Sequence, residues 1–461
     1  MAMSSYNTLH SVYLNPSLGS LTKRKWQIHL IGIHGNFNQN LAYLKIPFSI
    51  YNLPNNIPSE HQTQSGNLNF NKNWIKPLEN NRIRNINFSS EINLPSFILR
   101  TKTNWAFGII NSANVSFRWV GLHKNIPKVI YNIENDNKLG QIFQKIGSPA
   151  FLPKMTISAI SYAKTGIHLS KSFDLNHQNK IAFGVNLSKV FGFQGFQMFQ
   201  EAVAVSSISD SSVSLSNGSN KLVVLDNNNG KGFSADLGIT YVFHKKTSKR
   251  NFNYHENHKD YFLKLGFSIL DIGYIKYQNI LIHENSISNG EIINSSDYNN
   301  LDRTDWEQIS TQISNLFTIR NSYRRNYNVG LPSRIGLNAD YQIKKNLFIS
   351  TQLIQSLRVK HSKNTREQSF LMISPRYQKK WFEILMPIGI IYDYSAFRQG
   401  FNLRLGPLYL GTANIVNFVP KHKVRDLDFF IGILLNDFQF NFKKKNKNSK
   451  DGKKNQNCFT F

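Results

Sequence analysis

Apolar and polar residues alternate along short stretches of this chain, and period-two alternation marks a strand with one apolar face. In SRIGLNADYQI, Ile335, Leu337, Ala339, Tyr341 and Ile343 share one face, and Arg334, Gly336, Asn338, Asp340 and Gln342 share the other. In SADLGITYVF, Ala235, Leu237, Ile239, Tyr241 and Phe243 oppose Asp236, Gly238 and Thr240. Ile181, Phe183, Val185 and Leu187 line up in KIAFGVNLSKVFGF, and Trp105, Phe107 and Ile109 in NWAFGII. In DYFLKLGFSILDIGYIKY the stack is Tyr261, Leu263, Leu265, Phe267 and Ile269. About fourteen such segments occur, a number within the range of single-chain membrane barrels.

The stretch Phe401 to Val416, FNLRLGPLYLGTANIV, shows how the segments connect. Read as one strand, its apolar stripe would change faces at Gly406. Read as a hairpin, Leu405 meets Leu408 and Leu403 meets Leu410 on one face, with Arg404 on the other. Pro407 lacks a ladder donor, which also argues for a turn. Other tight turns are expected at Lys344 to Asn346 and at Lys379-Lys380. Long loops are expected at 51–80, 200–232 and 283–332. Short turns on one side and long loops on the other are the asymmetry of an outer-membrane barrel.

The expected fold is therefore all-β: one antiparallel transmembrane barrel of about fourteen strands over residues 1–442, with short helical inserts in its long loops. In TDWEQISTQISNLF, Trp306, Ile309, Ile313 and Phe317 fall at helical spacing, and Thr304 and Glu307 match a capping box. Such a helix would either plug the barrel mouth or pack as a surface cap on the loop residues. A weaker helical pattern covers 134–147. If the apolar alternates face lipid, the polar ones face a water-filled lumen, which places Asp236, Asp271, Arg334, Asp340 and Arg404 inside.

Composition fits this reading. Aromatic residues make up 13% of the chain, with 34 Phe and 19 Tyr, as strands and interfacial girdles require. Mean hydropathy is -0.36, and no run is long and apolar enough for a membrane helix. The formal charge of +28 is spread along the chain, except in Lys443 to Lys454, KKKNKNSKDGKK, with seven Lys and one Asp. Residues 443–461 read as a basic disordered tail, and no nucleic-acid partner is expected. Cys458 is the sole cysteine, so no disulfide framework forms within the chain. The N-terminal stretch MAMSSYNTLHSVYLNPS has no basic region followed by an apolar core, so a signal peptide is missing from the sequence as given.

Catalytic signatures are sparse. His255 to His258, HENH, lacks the i, i+4 helical spacing of a metalloprotease. The glycines of GFQG and GKGF form neither a phosphate loop nor a dinucleotide fingerprint, and G-x-S-x-G does not occur. His29, His34 and His168 have no evident partners in sequence. No catalytic, cofactor or metal residue is expected, and no enzyme activity.

Five motifs, in order, resemble one family: VYLNPSLG (Val12 to Gly19), GKGFSADLGITYVF (Gly230 to Phe243), FLKLGFSILDIGYIKY (Phe262 to Tyr277), GLPSRIGLNADYQI (Gly330 to Ile343) and LRLGPLYLGTANIV (Leu403 to Val416). They are similar to an uncharacterised Bacteroidetes outer-membrane β-barrel family, a domain of unknown function, loosely similar to the type IX secretion accessory proteins of the PorP/SprF kind. The resemblance implies a barrel in the outer membrane and carries over no site residue. The expected role is a passive channel or hydrophobic-solute transporter embedded in the outer-membrane bilayer. The alternative is an accessory or scaffold barrel of a secretion or gliding machine, with periplasmic or surface protein partners.

Overall fold

The alternating stretches pair with one another almost strictly in chain order. A computed structural model describes residues 8–22, 24–47, 58–78, 82–124, 144, 150–244, 261–287, 291–294 and 321–436, apart from 64–66, 70, 177, 217, 226–228 and 419–422. Fourteen strands form the wall. They are β1 (Trp26–Gln39), β2 (Arg84–Asn93 with Ser96–Arg100), β3 (Trp105–Leu122), β4 (Met155–Asp174) and β5 (Asn179–Gln200). Next come β6 (Gly218–Leu225 with Gly230–His244), β7 (Tyr261–Ile287), β8 (Asn321–Gly330 with Arg334–Lys344), β9 (Leu347–Ser356) and β10 (Phe370–Gln378). The last are β11 (Phe382–Leu385 with Ile388–Ile391), β12 (Ala396–Gln399 with Phe401–Leu405), β13 (Leu408–Thr412) and β14 (Asp426–Asn436). Neighbours are antiparallel throughout, and β14 pairs back onto β1, from Gln27 opposite Asn436 to Asn38 opposite Asp426. The sheet is thus a closed barrel with no free edge.

Side-chain phase follows the alternation. Leu237, Phe267, Leu337 and Tyr341 are exposed on the outer wall, while Asp236, Thr240, Ser268, Asn338 and Asp340 are buried inside. The outer face forms an apolar band with aromatic residues at both rims. Trp26, Trp105, Phe173 and Tyr341 lie near the short-turn end, and Phe37, Phe88 and Phe117 pair across β1, β2 and β3 near the other. Phe107 and Phe117 are ten residues apart on β3, or about 25 Å of wall height at a typical strand rise and tilt. Such a band matches the apolar thickness of an outer membrane.

The hairpin at Gly406-Pro407 has the pairing read from sequence: Leu405 opposite Leu408 and Leu403 opposite Leu410. Gly406 takes φ +56°, a conformation that glycine adopts without a Cβ clash. This turn, Lys345-Asn346, residues 379–381, 101–104 and 175–178 all lie at one end of the barrel. The described parts of the connections 40–83, 123–154, 201–217 and 288–320, with the loop 357–369, lie at the other.

Three expectations need correction. Tyr261 does not share the outer face of Leu263 and Leu265: the ladder to β6 slips between Phe243 and His244, with Phe262 as the extra residue, and Tyr261 turns inward. The expected loop at 200–232 contains the upper part of β6, Gly218–Leu225. There Leu222, Val223, Val224 and Leu225 are all buried, so alternation is lost. The expected loop at 283–332 is shortened at both ends, because β7 runs to Ile287 and β8 begins at Asn321. Arg324 and Arg325 on that part of β8 are exposed. Above the apolar band the outer face of β8 is polar, while the inner face of the wall carries apolar residues such as Ile280, Ile282 and Val329, and the period-two signal vanishes.

β7 is 27 residues long and, beyond Phe262, changes phase twice more. Inward positions run Lys264, Gly266, Ser268 and Leu270, then Asp271, Ile275 and Tyr277, then Ile280 and Ile282. The ladder slips near Leu270-Asp271 and again between Tyr277 and Ile280. Asp271 and Asn279 both take φ +54°, and the short polar side chains of Asp and Asn tolerate that region better than most. At the long-loop end, Ala150–Leu152, Val203–Ser207, Ser212–Ser216 and Glu291–Asn294 form a separate four-stranded sheet. Ala42–Lys45, Ile75–Pro77 and Lys423–Val424 form a three-stranded one.

Candidate functional site

The lumen holds the chain's own N-terminal segment. A one-turn helix, Thr8–Ser11, leads to a 3-10 helix, Pro16–Leu21, before β1 begins. The sequence Asn-Pro-Ser starts that second helix for local reasons. The Asn15 side chain accepts from Ser17 N at 3.1 Å as the N-cap, and Pro16 occupies the first turn, where its missing N–H costs nothing.

One row of the wall lacks bulky side chains. Ser170, Gly184, Gly238, Ser268 and Gly336 stand opposite one another across β4, β5, β6, β7 and β8. Leu14 to Ser17 lies against this row. A Cβ at Gly184 would come within 3.0 Å of the Pro16 and Ser17 backbone, and one at Gly238 would meet Asn15 and Pro16. Gly19 sits equally close to His168 and Ser170. Hydrogen bonds fix the segment: Asn15 Nδ2 donates to Thr240 Oγ1 at 3.3 Å, and Ser17 Oγ lies 2.6 Å from Thr240 Oγ1. Ser268 Oγ donates to Leu14 O at 2.8 Å, and Asn186 Nδ2 to Val12 O at 3.0 Å. On the opposite side Leu9 and Val12 pack with Ile98, Ala106, Ile110, Tyr409 and Leu434. Leu9 N donates to Gln27 Oε1 at 2.8 Å.

Of the five polar residues singled out above, Asp236, Asp271, Asp340 and Arg404 are buried and Arg334 is half-buried, and they fall into three groups. Asp236 Oδ1 accepts from Asp271 N at 2.7 Å, and Asp236 Oδ2 accepts from Asn186 Nδ2 at 3.0 Å. Asp271 pairs with Lys164 at 2.7 Å and with Arg334 at 3.1 Å, and Arg334 also meets Glu367. Asp340 forms a second group with Arg376 at 2.8 Å, Ser350 at 2.6 Å and the Tyr261 hydroxyl. Arg404 forms a third. Its Nε donates to Glu383 at 3.1 Å, and its remaining N–H groups reach the carbonyls of Lys379, Lys380 and Gly406 at the short turns. Buried charges persist when paired and hydrogen-bonded in this way.

Above the seat the lumen turns apolar. Ile160, Tyr162, Val190, Val223, Ile275, Ile280, Ile282 and Val329 form one buried cluster from β4 to β8. The loop 357–369 folds over it. Gln197 Nε2 donates to Lys363 O at 2.7 Å, Arg118 Nη2 to Lys360 O at 2.8 Å, and Thr365 Oγ1 to Gly330 O at 2.7 Å. Glu367 on this loop continues through Arg334, Asp271, Asp236 and Asn186 to Val12. A chain of polar contacts thus joins the outer loop to the N-terminal segment.

The expected plug residues Trp306, Ile309, Ile313 and Phe317 lie outside the described residues, as do His255 to His258 and the tail 443–461. Sequence reading missed Leu9 to Ser20 as the seated element, because VYLNPSLG has neither period. The detectable signal was the wall itself: adjacent strands carry Gly or Ser at one lumen position, which leaves space for a backbone. Among the described residues no cluster of His, Cys, Asp or Glu suits a metal ion.

Four of the five motifs quoted above hold pieces of this seat or segment: Asn15 to Gly19, Gly238, Ser268 and Gly336. The profile of a family of unknown function, DUF5723, matches residues 16–413. The chain belongs to the DUF5723 family. Comparison with curated proteins finds no match for this DUF5723 barrel. Among solved structures it is similar to the toluene transporter TbuX of Ralstonia pickettii, with 9% identity, a TM-score of 0.37 and 92% of each chain covered. It is also similar to a FadL homologue of Pseudomonas aeruginosa, with 11% identity, a TM-score of 0.38 and coverage of 93% of this chain and 94% of that one. A third is the toluene transporter TodX of Pseudomonas putida, with 11% identity, a TM-score of 0.31 and coverage of 93% and 91%.

Proposed function

We propose that the protein is an outer-membrane transporter of small, mainly apolar solutes, held shut at rest by its N-terminal segment. The observation that carries this reading is the seat. A continuous Gly/Ser row across five strands receives a backbone that is separate from the wall, so the closure is removable without unfolding the barrel. The apolar cluster above it supports the solute class, because barrel lumens are otherwise polar. The aromatic-rimmed outer band and the single-ended short turns support a place in the outer membrane.

Planar-bilayer recording tests the proposal. Full-length protein should conduct little, and a variant lacking residues 1–22 should give stable channels. A small apolar solute such as benzene should block that current, and glucose should not. Absence of current in the truncated, folded barrel refutes the transport reading. A second reading, an accessory barrel for other surface proteins, draws on the four-stranded sheet at the long-loop end. Phe151 and Ile292, on its two outermost strands, are 76% and 56% exposed. Co-purification with a surface protein, together with a silent truncated barrel, would favour that role.

A further inference from the structure

A cavity of about 400 Å³ opens at the long-loop mouth, between the ends of β1, β2 and β3, the start of β12 and the loop 357–369. Its size falls in the range of small-molecule sites. Arg118 lines it, only 4% exposed, and gives one N–H to Lys360 O at 2.8 Å. Its Nε and Nη1 have no partner among the described residues. A buried guanidinium with vacant donors is costly, and its planar fork suits an oxyanion.

The charges around the cavity are unbalanced. Arg366 pairs with Asp393 at 2.8 Å and Arg398 with Asp426 at 2.7 Å, which uses both lining carboxylates. Arg118, Lys360 and Arg425 line the same space, with no carboxylate in ion-pair range among the described residues. Burial first, then the Lys154, Arg118 and Lys360 charges, hold the adjoining His361 below the ordinary imidazole pKa. One wall is made of amides: Asn38 Nδ2 donates to Gln368 Oε1 at 2.7 Å, and Asn87 Nδ2 to Asn38 Oδ1 at 3.2 Å. Asn38 is fully bonded, which holds Asn87 and Gln368 in place with one further N–H each to offer a hydroxyl group.

We propose that this cavity binds a sugar-sized solute carrying an oxyanion, as in a sugar phosphate, with Arg118 at its base gripping the anion and the amide wall facing the hydroxyls. The site does not depend on the transport reading, since it lies at the mouth, apart from the seat.

Titration calorimetry on the full chain in detergent micelles at low salt tests it, with glucose 6-phosphate, inorganic phosphate and glucose as probes. Glucose 6-phosphate should bind, inorganic phosphate more weakly, and glucose not measurably. Raising the salt should weaken binding. Arg118→Gln should weaken it about tenfold or more. Lys360→Gln and Arg425→Gln, at less buried positions where the fold is not at stake, should each weaken it severalfold. A phosphorylated glycolipid added to the micelles identifies the source: displacement of glucose 6-phosphate assigns a lipid headgroup, and persistence of binding assigns a soluble sugar phosphate. Failure of the native protein to bind either phosphate overturns the proposal. So does unchanged affinity in folded Arg118→Gln, or, should that variant not fold, in the Lys360→Gln/Arg425→Gln double variant.

Discussion

Gly184→Ala should unseat the N-terminal segment. The new methyl group would point into the lumen at a separation from Pro16 C, Pro16 O and Ser17 N that real Cβ atoms essentially never show. These are backbone atoms and cannot rotate away, while β5 is held by ladders to both β4 and β6. The mobile partner must therefore yield. Overpacking costs typically 1–3 kcal/mol, and a backbone clash belongs at the upper end. A cost of about 3 kcal/mol moves the seated-to-unseated ratio roughly a hundredfold. The wall itself should not suffer, since alanine is otherwise the better strand residue. The assay places a cysteine at Ser20, buried in the seated segment, in a Cys458→Ser background, which removes the native thiol. Labelling by an impermeant maleimide then reports the unseated fraction. Gly184→Ala should label about a hundredfold faster than the parent and show added current in bilayers. If the rates agree within about twofold, while heat-modifiable mobility shows a folded barrel, the clash does not control seating.

Other outcomes follow from the same geometry. Thr240→Val removes the wall hydroxyl that meets both Asn15 and Ser17, leaving Asn15 its longer bonds to Ile239 O and Phe267 O; at about 1 kcal/mol per bond, Ser20→Cys labelling should rise roughly 10- to 30-fold, with barrel stability nearly unchanged. Arg376→Met strands the fully buried Asp340 and should cost about 3–5 kcal/mol in urea unfolding from micelles, whereas Arg376→Met/Asp340→Leu should recover most of that loss. Gly406→Ala places a Cβ at φ +56° and 3.0 Å from the Trp381 ring; about 1–2 kcal/mol should be lost, seen as a lower temperature for the heat-induced gel shift.

Much of the wall was legible because one face meets an apolar medium and the other does not. Phe183, Leu237, Phe267 and Leu337 alternate with polar or small neighbours for that reason, and the Leu405 to Leu408 turn could be placed by phase alone. Legibility failed where a strand left that environment. Asn321–Gly330 is wet outside, Leu222 to Leu225 is covered on both faces, and Phe262, Asp271 and Asn279 shift the phase by one residue. The lumen charges could be sided from sequence, but their partners could not. Lys164 and Asp271 are 107 positions apart, and the β7–β8 ladder, with Leu270 opposite Arg334, sets Arg334 beside Asp271. The seat was hidden in plain composition: a glycine reads as a weak strand residue until its neighbours across the ladder prove to be small as well.

That row of small residues has a meaning for assembly. It exists only when five strands are in correct register, because a slip of one residue turns each inward side chain outward. Were β6 to pair one step out of line, Leu237 or Ile239 would stand where Gly238 belongs, and the N-terminal segment would find no place to lie. The segment precedes β1, yet its berth is complete only after β8 has joined the wall. Docking of Leu9 to Ser20 therefore reads the register of the finished wall, and a barrel one step out of register should leave that segment loose and open to proteases.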